Sequence, residues 1–115
     1  MDRRFLLPFA LGLAGCTPGL DHRAVMDRIE QAVRLPAGAL PLGRYARAYA
    51  RVDGRQVVAV YFVPAAGAAM AAGERRWFDD ARRLPRPVGA GCLRVDVRYA
   101  LDTHRIVRIA CPDPA

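Results

Sequence analysis

The stretch that decides the expected fold is RYARAYARVDGRQVVAVYFV at residues 44–63. Residues 44–52 alternate, with tyrosine and arginine on one face and alanine and valine on the other, which is typical of a β-strand. Residues 55–63 are rich in the β-branched and aromatic residues that favour strands. The Asp53-Gly54 pair between them is typical of a two-residue type I′ turn. The stretch therefore predicts a β-hairpin.

A two-residue turn fixes which side chains face each other across this hairpin. It places Ala50 opposite Val57 and Tyr49 opposite Val58. We expect the alanine face to lie against a helix, because small side chains let a helix approach closely. The tyrosine and arginine face is then either a solvated sheet, with arginine stems over tyrosine rings, or a binding surface. The candidate binding surface comprises Tyr45, Arg47, Tyr49, Arg51 and Trp77.

A second hairpin is predicted towards the C-terminus. Residues 92–101 alternate between apolar and charged side chains, and residues 105–111 supply the partner strand. Residues 101–104 fit a four-residue loop, with His104 at a position that often adopts the left-handed conformation. His104 is therefore interpreted as a turn residue rather than a ligand.

Two helical segments are predicted around the hairpins. Residues 21–35 begin with the N-capping residue Asp21 and end before Pro36. Residues 74–84 predict a short connecting helix, in which Trp77 fills an edge of the core. The apolar stripe of the first helix comprises Val25, Met26, Ile29, Ala32 and Val33.

Together these elements predict one α+β domain at residues 21–115. Its N-terminal helix packs on a four-stranded antiparallel sheet made of the two hairpins, and a short helix connects the hairpins. Residues 36–43 and 85–91 are linkers rich in proline and glycine, and residues 65–73 predict a flexible surface loop.

The N-terminus has the features of a secretory signal peptide over residues 1–15. Arg3 and Arg4 form a basic start, and an apolar stretch follows at residues 5–15. That stretch is too short to cross a bilayer, which needs about 20 apolar residues. The alternatives are an ordinary secretory signal followed by a chance cysteine, or a short buried helix.

The end of this segment, LAGC at residues 13–16, resembles the lipobox of bacterial lipoproteins. The resemblance implies cleavage before Cys16, acylation of its thiol and of its freed amine, and anchoring in a lipid bilayer. Residues 16–20 then form a lipidated tether. Thr17 stands where an aspartate often retains lipoproteins in the inner membrane, so the periplasmic face of the outer membrane is favoured.

The three cysteines divide into one that carries lipid and one pair. With Cys16 acylated, Cys92 and Cys111 remain, and export places them in an oxidising compartment where a disulfide is the default. Their spacing fits no metal-binding motif. We therefore predict a disulfide that staples the ends of the second hairpin, with two buried free thiols as the alternative.

The composition excludes several chemistries. All 18 basic residues are arginine, and the chain has no lysine, serine or asparagine. It therefore lacks a serine nucleophile, a lysine Schiff base, a Walker-type phosphate loop and an N-glycosylation site. The net charge is +7, but the arginines are dispersed and the missing lysine is typical of G+C-rich coding. The charge therefore does not indicate nucleic-acid binding.

No catalytic residue, metal site or cofactor is predicted. Asp79 and Asp80 are adjacent, so their side chains point in different directions, and no third ligand is in view. We interpret them as solvated charges, and we interpret His22 as a packing residue.

The order of motifs carries a family resemblance. The pattern YARxYAxxxGRxVVxVYxxP, then Trp77 with Asp79 and Asp80, then GCxxVxVxY and a final xxIxC resembles small lipoproteins of sphingomonad-type alphaproteobacteria over residues 42–111. The resemblance carries no activity and no catalytic residue to this chain. In layout alone, the expected fold is similar to cystatin-like lipoproteins and to outer-membrane assembly-factor lipoproteins.

These observations predict a non-enzymatic envelope lipoprotein that binds a protein or an anionic envelope component near the membrane surface. One alternative is a periplasmic inhibitor of a hydrolase, which presents residues 64–75 or 85–91. Another is a small enzyme that uses Asp79, Asp80 or His104.

Overall fold

The computed structural model describes residues 19–87 and 91–112. The predicted signal peptide and Cys16 lie outside the described residues. Within the described ranges one α-helix accompanies one five-stranded sheet of strand order β3-β1-β2-β4-β5. The elements are α1 (His22–Ala32), β1 (Ala46–Arg51), β2 (Gln56–Phe62), β3 (Arg75–Phe78), β4 (Arg94–Ala100) and β5 (Arg105–Ala110). No helix in the described part is long and apolar enough to cross a membrane.

The α+β class is confirmed, but the prediction of a four-stranded antiparallel sheet is wrong. The sheet is mixed, since β3 pairs with β1 in parallel while the other neighbours are antiparallel. The connecting helix predicted at residues 74–84 is replaced by β3 and a 3-10 turn at Ala81–Arg83. The free edge of β1 decides this, because the Arg47 amide donates to the Glu74 carbonyl (2.9 Å) and draws the segment into the sheet.

The helix α1 begins as the sequence predicts and ends earlier. The Asp21 side chain accepts a hydrogen bond from the Ala24 amide (3.2 Å), as expected of an N-cap. Val33 is already extended, so the helix stops at Ala32 rather than at residue 35. The residues buried against the sheet are Val25, Met26, Ile29 and Val33, whereas Ala32 of the expected stripe is exposed.

The first hairpin forms with a register one residue away from the expected one. Ala50 pairs with Val58 rather than with Val57. The reason lies in the turn, where the Val52 amide donates to the Gln56 carbonyl (3.0 Å) and leaves three loop residues instead of two. The Asp53 carboxylate stabilises this longer loop by accepting from the backbone amides of the two residues that follow Gly54 (2.7 and 3.0 Å).

The helix covers the tyrosine and arginine face of the sheet, which reverses the expected assignment of faces. The tyrosines Tyr45, Tyr49, Tyr61 and Tyr99 are fully buried there with the apolar side of α1. The alanines of β1 lie on the opposite side and pack with Phe62, Met70 and Leu84. The large rings bury more apolar area than alanine does, so the helix stabilises the fold most on their side.

We call the side away from α1 the helix-free face. Its strand residues are Ala46, Ala48, Ala50, Gln56, Val58, Val60, Phe62, Arg76, Phe78, Arg94, Asp96, Arg98, Ala100, Arg105, Arg108 and Ala110.

The second hairpin and its disulfide are confirmed. Cys92 and Cys111 are bonded, with their Cα atoms 4.9 Å apart. His104 has a φ of 55° at the tip of the loop between β4 and β5, as predicted. The Tyr45 hydroxyl donates to the Cys92 carbonyl (2.6 Å) and accepts from the Leu40 amide (3.0 Å). The disulfide end of the sheet is therefore tied to the segment that follows α1.

Candidate functional site

The residues of the binding surface proposed from the sequence differ in their exposure to solvent. Tyr45 and Tyr49 have no exposed area, and the Arg47 side chain is 13% exposed. Trp77 is half-buried and stacks on His22, with ring centroids 4.1 Å apart. Only Arg51 is fully at the surface, where its guanidinium donates to backbone carbonyls of its own turn. These five residues therefore do not form one accessible surface.

The tyrosine and arginine face instead holds a polar network beneath α1. The Tyr49 hydroxyl donates to Glu30 Oε2 (2.5 Å) and is paired with the Tyr61 hydroxyl (2.9 Å). Arg47 Nη1 lies 3.1 Å from Glu30 Oε1, and Arg75 bridges Glu30 and the neighbouring Asp27 at 3.4 and 2.7 Å. Because every carboxylate here has a cation or a hydroxyl, the network holds the helix on the sheet rather than facing a ligand.

Burial controls the acidity of this network. It raises the pKa of the Tyr49 hydroxyl far above its ordinary value, and the nearby Tyr61 and Glu30 raise that pKa further. Burial also raises the pKa of Tyr61. Both hydroxyls therefore stay protonated in the folded chain at pH values that ionise an exposed tyrosine.

We expect the free energy of unfolding to fall as the pH rises above about 10. Above that pH the unfolded chain releases tyrosine protons that Tyr49 and Tyr61 retain when folded, so the unfolded state binds fewer protons and gains stability. Below about pH 10 this contribution to folding is complete.

Urea unfolding over this pH range, with tyrosinate absorbance as a second signal, measures the effect. The double variant Tyr49→Phe, Tyr61→Phe should show a shallower pH dependence. Tyrosinate absorbance from all four tyrosines of the folded chain near pH 10 would contradict the expectation.

A second candidate site lies on the helix-free face, where arginines surround an apolar floor. Two adjoining depressions of about 270 and 290 Å³ share Val58, Val60 and Arg98. Arg108 of β5 lines the first depression, and Arg94 of β4 lines the second. We call these two depressions the arginine groove.

The charges of the arginine groove are unbalanced. Arg94 is paired with Asp96 (3.0 Å), whereas Arg98 donates to the neutral amide oxygen of Gln56 (2.9 Å). In the part of the chain that the structure describes, neither Arg98 nor Arg108 has an acidic partner within 4.0 Å. The same two arginines are direct partners on β4 and β5. Like charges placed opposite each other on neighbouring strands destabilise a sheet, and an anion between them relieves that repulsion.

The arginine groove continues into a larger depression of about 540 Å³, which we call the apolar pocket. The two share Pro85 and Arg86. Phe62, Met70 and Phe78 are among the apolar residues that line the pocket. The helix-free face therefore carries adjoining depressions lined by apolar residues and arginines, with Asp96 as an acidic residue in the lining of the first depression.

The sequence predicted the binding surface on the tyrosine and arginine face, and this site lies on the opposite face of the sheet. The signal was present in residues 92–101, where Arg94, Asp96 and Arg98 alternate with buried apolar residues. The opposition of Arg98 and Arg108 could not be read from the sequence, because it depends on a register shift between Arg98 and Tyr99.

Asp80 and His104, two of the residues considered for catalysis, each contact an arginine. Asp80 is held by Arg82, whose hydrogen bonds lower the pKa of the Asp80 carboxyl. His104 lies against Arg28, 3.4 Å from its guanidinium. Within residues 19–87 and 91–112 no group of three or more histidines, cysteines and acidic residues lies close enough to hold a metal ion.

The first loop considered for an inhibitor, residues 64–75, takes part in packing. Met70 is 3% exposed and lies on the alanines of β1. The loop at residues 65–73, expected to be a flexible surface loop, is thus anchored to the helix-free face through Met70.

Comparisons of the chain with protein-family models, with curated proteins and with solved structures found no match.

Proposed function

We propose that this chain is a lipid-anchored, non-enzymatic envelope protein that binds an anionic envelope component through its helix-free face. The opposition of Arg98 and Arg108 carries the proposal. Two cations on neighbouring strands, neither with an acidic partner among the described residues, lower the stability of the free protein. They bind phosphate or carboxylate groups strongly because guanidinium groups can donate two parallel hydrogen bonds.

The floor of the arginine groove supports the same proposal. Val58 and Val60 are half-buried on the helix-free face, so part of their apolar surface stays in contact with solvent. An apolar floor lowers the local dielectric constant and strengthens the attraction between the arginines and an anion. A sheet face that only contacts water does not require arginines around an apolar floor.

The subcellular location in this proposal is inferred from the sequence. Residues 1–15 act as the signal peptide, Cys16 is acylated, and residues 16–20 form the tether, on the periplasmic face of the outer membrane. Five extended residues span at most about 17 Å. The domain is therefore held near the headgroups, where anionic lipids attract arginine by about 1 kcal/mol for each side chain near the surface.

Vesicle binding by charge-reversal variants tests the role of the groove. The mature chain, residues 16–115, with Cys16→Ser to remove the acyl anchor, should bind phosphatidylglycerol-containing vesicles and not pure phosphatidylcholine vesicles. Adding Arg98→Glu and Arg108→Glu should weaken binding at least tenfold, because the two directly paired arginines of the groove become anions. The matched control is Arg23→Glu with Arg55→Glu, two exposed arginines that lie outside the groove. The control should weaken binding less than threefold. Equal losses in both double variants, or no preference for anionic vesicles, would overturn the proposal.

A further inference from the structure

The apolar pocket differs from the arginine groove in its lining. It has a volume of about 540 Å³, and most of its lining is alanine, proline and aromatic side chain. Phe62 and Met70 are almost fully buried at its base, and Phe78 is half-buried. The charged side chains that line it are Arg76, Arg83 and Arg86, and no acidic side chain lines it among the described residues.

The three arginines of the pocket are not equivalent. Arg76 is held in place, because its Nη2 lies 2.7 Å from Glu74 Oε2 and its guanidinium lies 6.0 Å from the centre of the Phe78 ring. Arg83 and Arg86 are exposed, and neither has an ion-pair partner within the described part of the chain. The pocket therefore offers two exposed cations that have no ion-pair partner among the described residues, beside an apolar space.

This lining selects a chemical class of ligand. A pocket wall without polar side chains other than arginine gives a sugar or a nucleobase few hydrogen-bond partners, and burying such groups is costly. A hydrocarbon chain gains about 0.8 kcal/mol for each buried methylene group. The volume lies in the range of sites that hold one small ligand. The cations at the mouth are complementary to a carboxylate or a phosphate.

We propose that the apolar pocket binds one single-chain anionic amphiphile, a fatty acid or a lysophospholipid with an anionic headgroup. The hydrocarbon chain lies over Phe62, Met70 and Phe78, and the headgroup is bound by Arg83 and Arg86. This inference rests on the proposed function, since it names the ligand class for one end of the same helix-free face.

The shape of the pocket depends on the loop at residues 65–73. Gly67 and Gly73 have φ values of 80° and 86°, a conformation that other residues rarely adopt. The amide of Gly73 donates to the Tyr45 carbonyl (3.0 Å), which fixes one end of the loop to the sheet. The wall that carries Ala68 and Met70 is thereby part of the fold.

Displacement of a fluorescent fatty acid tests this inference. The mature Cys16→Ser chain, residues 16–115, should bind one cis-parinaric acid molecule, and oleate or oleoyl lysophosphatidic acid should displace it. Oleyl alcohol, which has the same hydrocarbon chain without the charge, should compete at least tenfold less well. Whether the carboxylate or the phosphate competes better identifies the headgroup. Failure of both anions to displace the probe, or equal competition by the alcohol, would overturn the inference.

Two variants locate the site. Arg83→Glu with Arg86→Glu should weaken cis-parinaric acid binding at least tenfold, and Ala68→Trp, which adds a large side chain at the wall, should abolish it. Arg98→Glu with Arg108→Glu should change it less than threefold, so failure of this inference is distinguishable from failure of the vesicle experiment. Thermal unfolding of each variant checks that it is folded. Unchanged binding in the Arg83, Arg86 variant would contradict the assignment even if Ala68→Trp does not fold.

Discussion

Replacement of Tyr49 by alanine is expected to lower the free energy of unfolding by about 3–5 kcal/mol. The Tyr49 ring has no exposed area beneath α1, so its loss leaves a cavity in the main core. The same change removes the hydroxyl that donates to Glu30 and pairs with Tyr61. Tyr49→Phe keeps the ring and should cost about 1–3 kcal/mol, because it leaves buried polar atoms without a partner.

Urea unfolding followed by circular dichroism measures this prediction. Arg51→Ala is the matched control, since Arg51 lies on the same face of β1 but at its exposed end. The control should change the stability by less than about 0.5 kcal/mol. If Tyr49→Ala is as stable as the Arg51 variant, the tyrosine face is solvated and α1 does not pack on it.

Removal of the disulfide is expected to have the second largest effect on stability. The double variant Cys92→Ala, Cys111→Ala should lower the free energy of unfolding by about 3 kcal/mol. The bond joins two residues that are 19 positions apart and thereby restricts the unfolded chain. For a domain of this size that loss corresponds to a fall in Tm of roughly 10–20 °C. The bond also holds the Cys92 carbonyl that accepts from Tyr45.

A reductant separates the disulfide from other consequences of the substitution. Dithiothreitol should lower the Tm of the native chain to that of the double variant and leave the variant unchanged. A native chain whose Tm is insensitive to complete reduction would contradict the predicted contribution.

The features that could be predicted from the sequence depend on short-range signals. Asp21 caps the helix through a side chain three residues from its donor, and His104 occupies a local turn position. The pairing of Cys92 with Cys111 follows from their places at the two ends of one hairpin. Each of these requires few assumptions about the rest of the chain.

The features that could not be predicted depend on contacts between distant segments. Residues 74–84 fit an amphipathic helix, and only the free edge of β1 makes Arg75–Phe78 a strand. The sheet face that α1 covers depends on how much apolar area the tyrosines bury. The alternating pattern identifies the two faces but does not show which of them buries more area. The candidate site could not be found without that choice, because it lies on the face left uncovered. Cys16 and the first part of the tether, residues 16–18, lie outside the described residues, and the lipid anchor remains a prediction from the sequence.

Photo-crosslinking from the two faces of the domain tests the central claim most directly. The lipidated chain in its native envelope would carry p-benzoylphenylalanine in place of Ala110, beside Arg108 on the helix-free face, or in place of Ala24 on the exposed side of α1. Mass spectrometry of the products then identifies what each face contacts. We expect adducts with anionic lipid or another phosphate- or carboxylate-bearing envelope component at position 110 and at most a trace at position 24. Equal lipid adducts at both positions, or a single protein such as a hydrolase as the only product at position 110, would contradict the account.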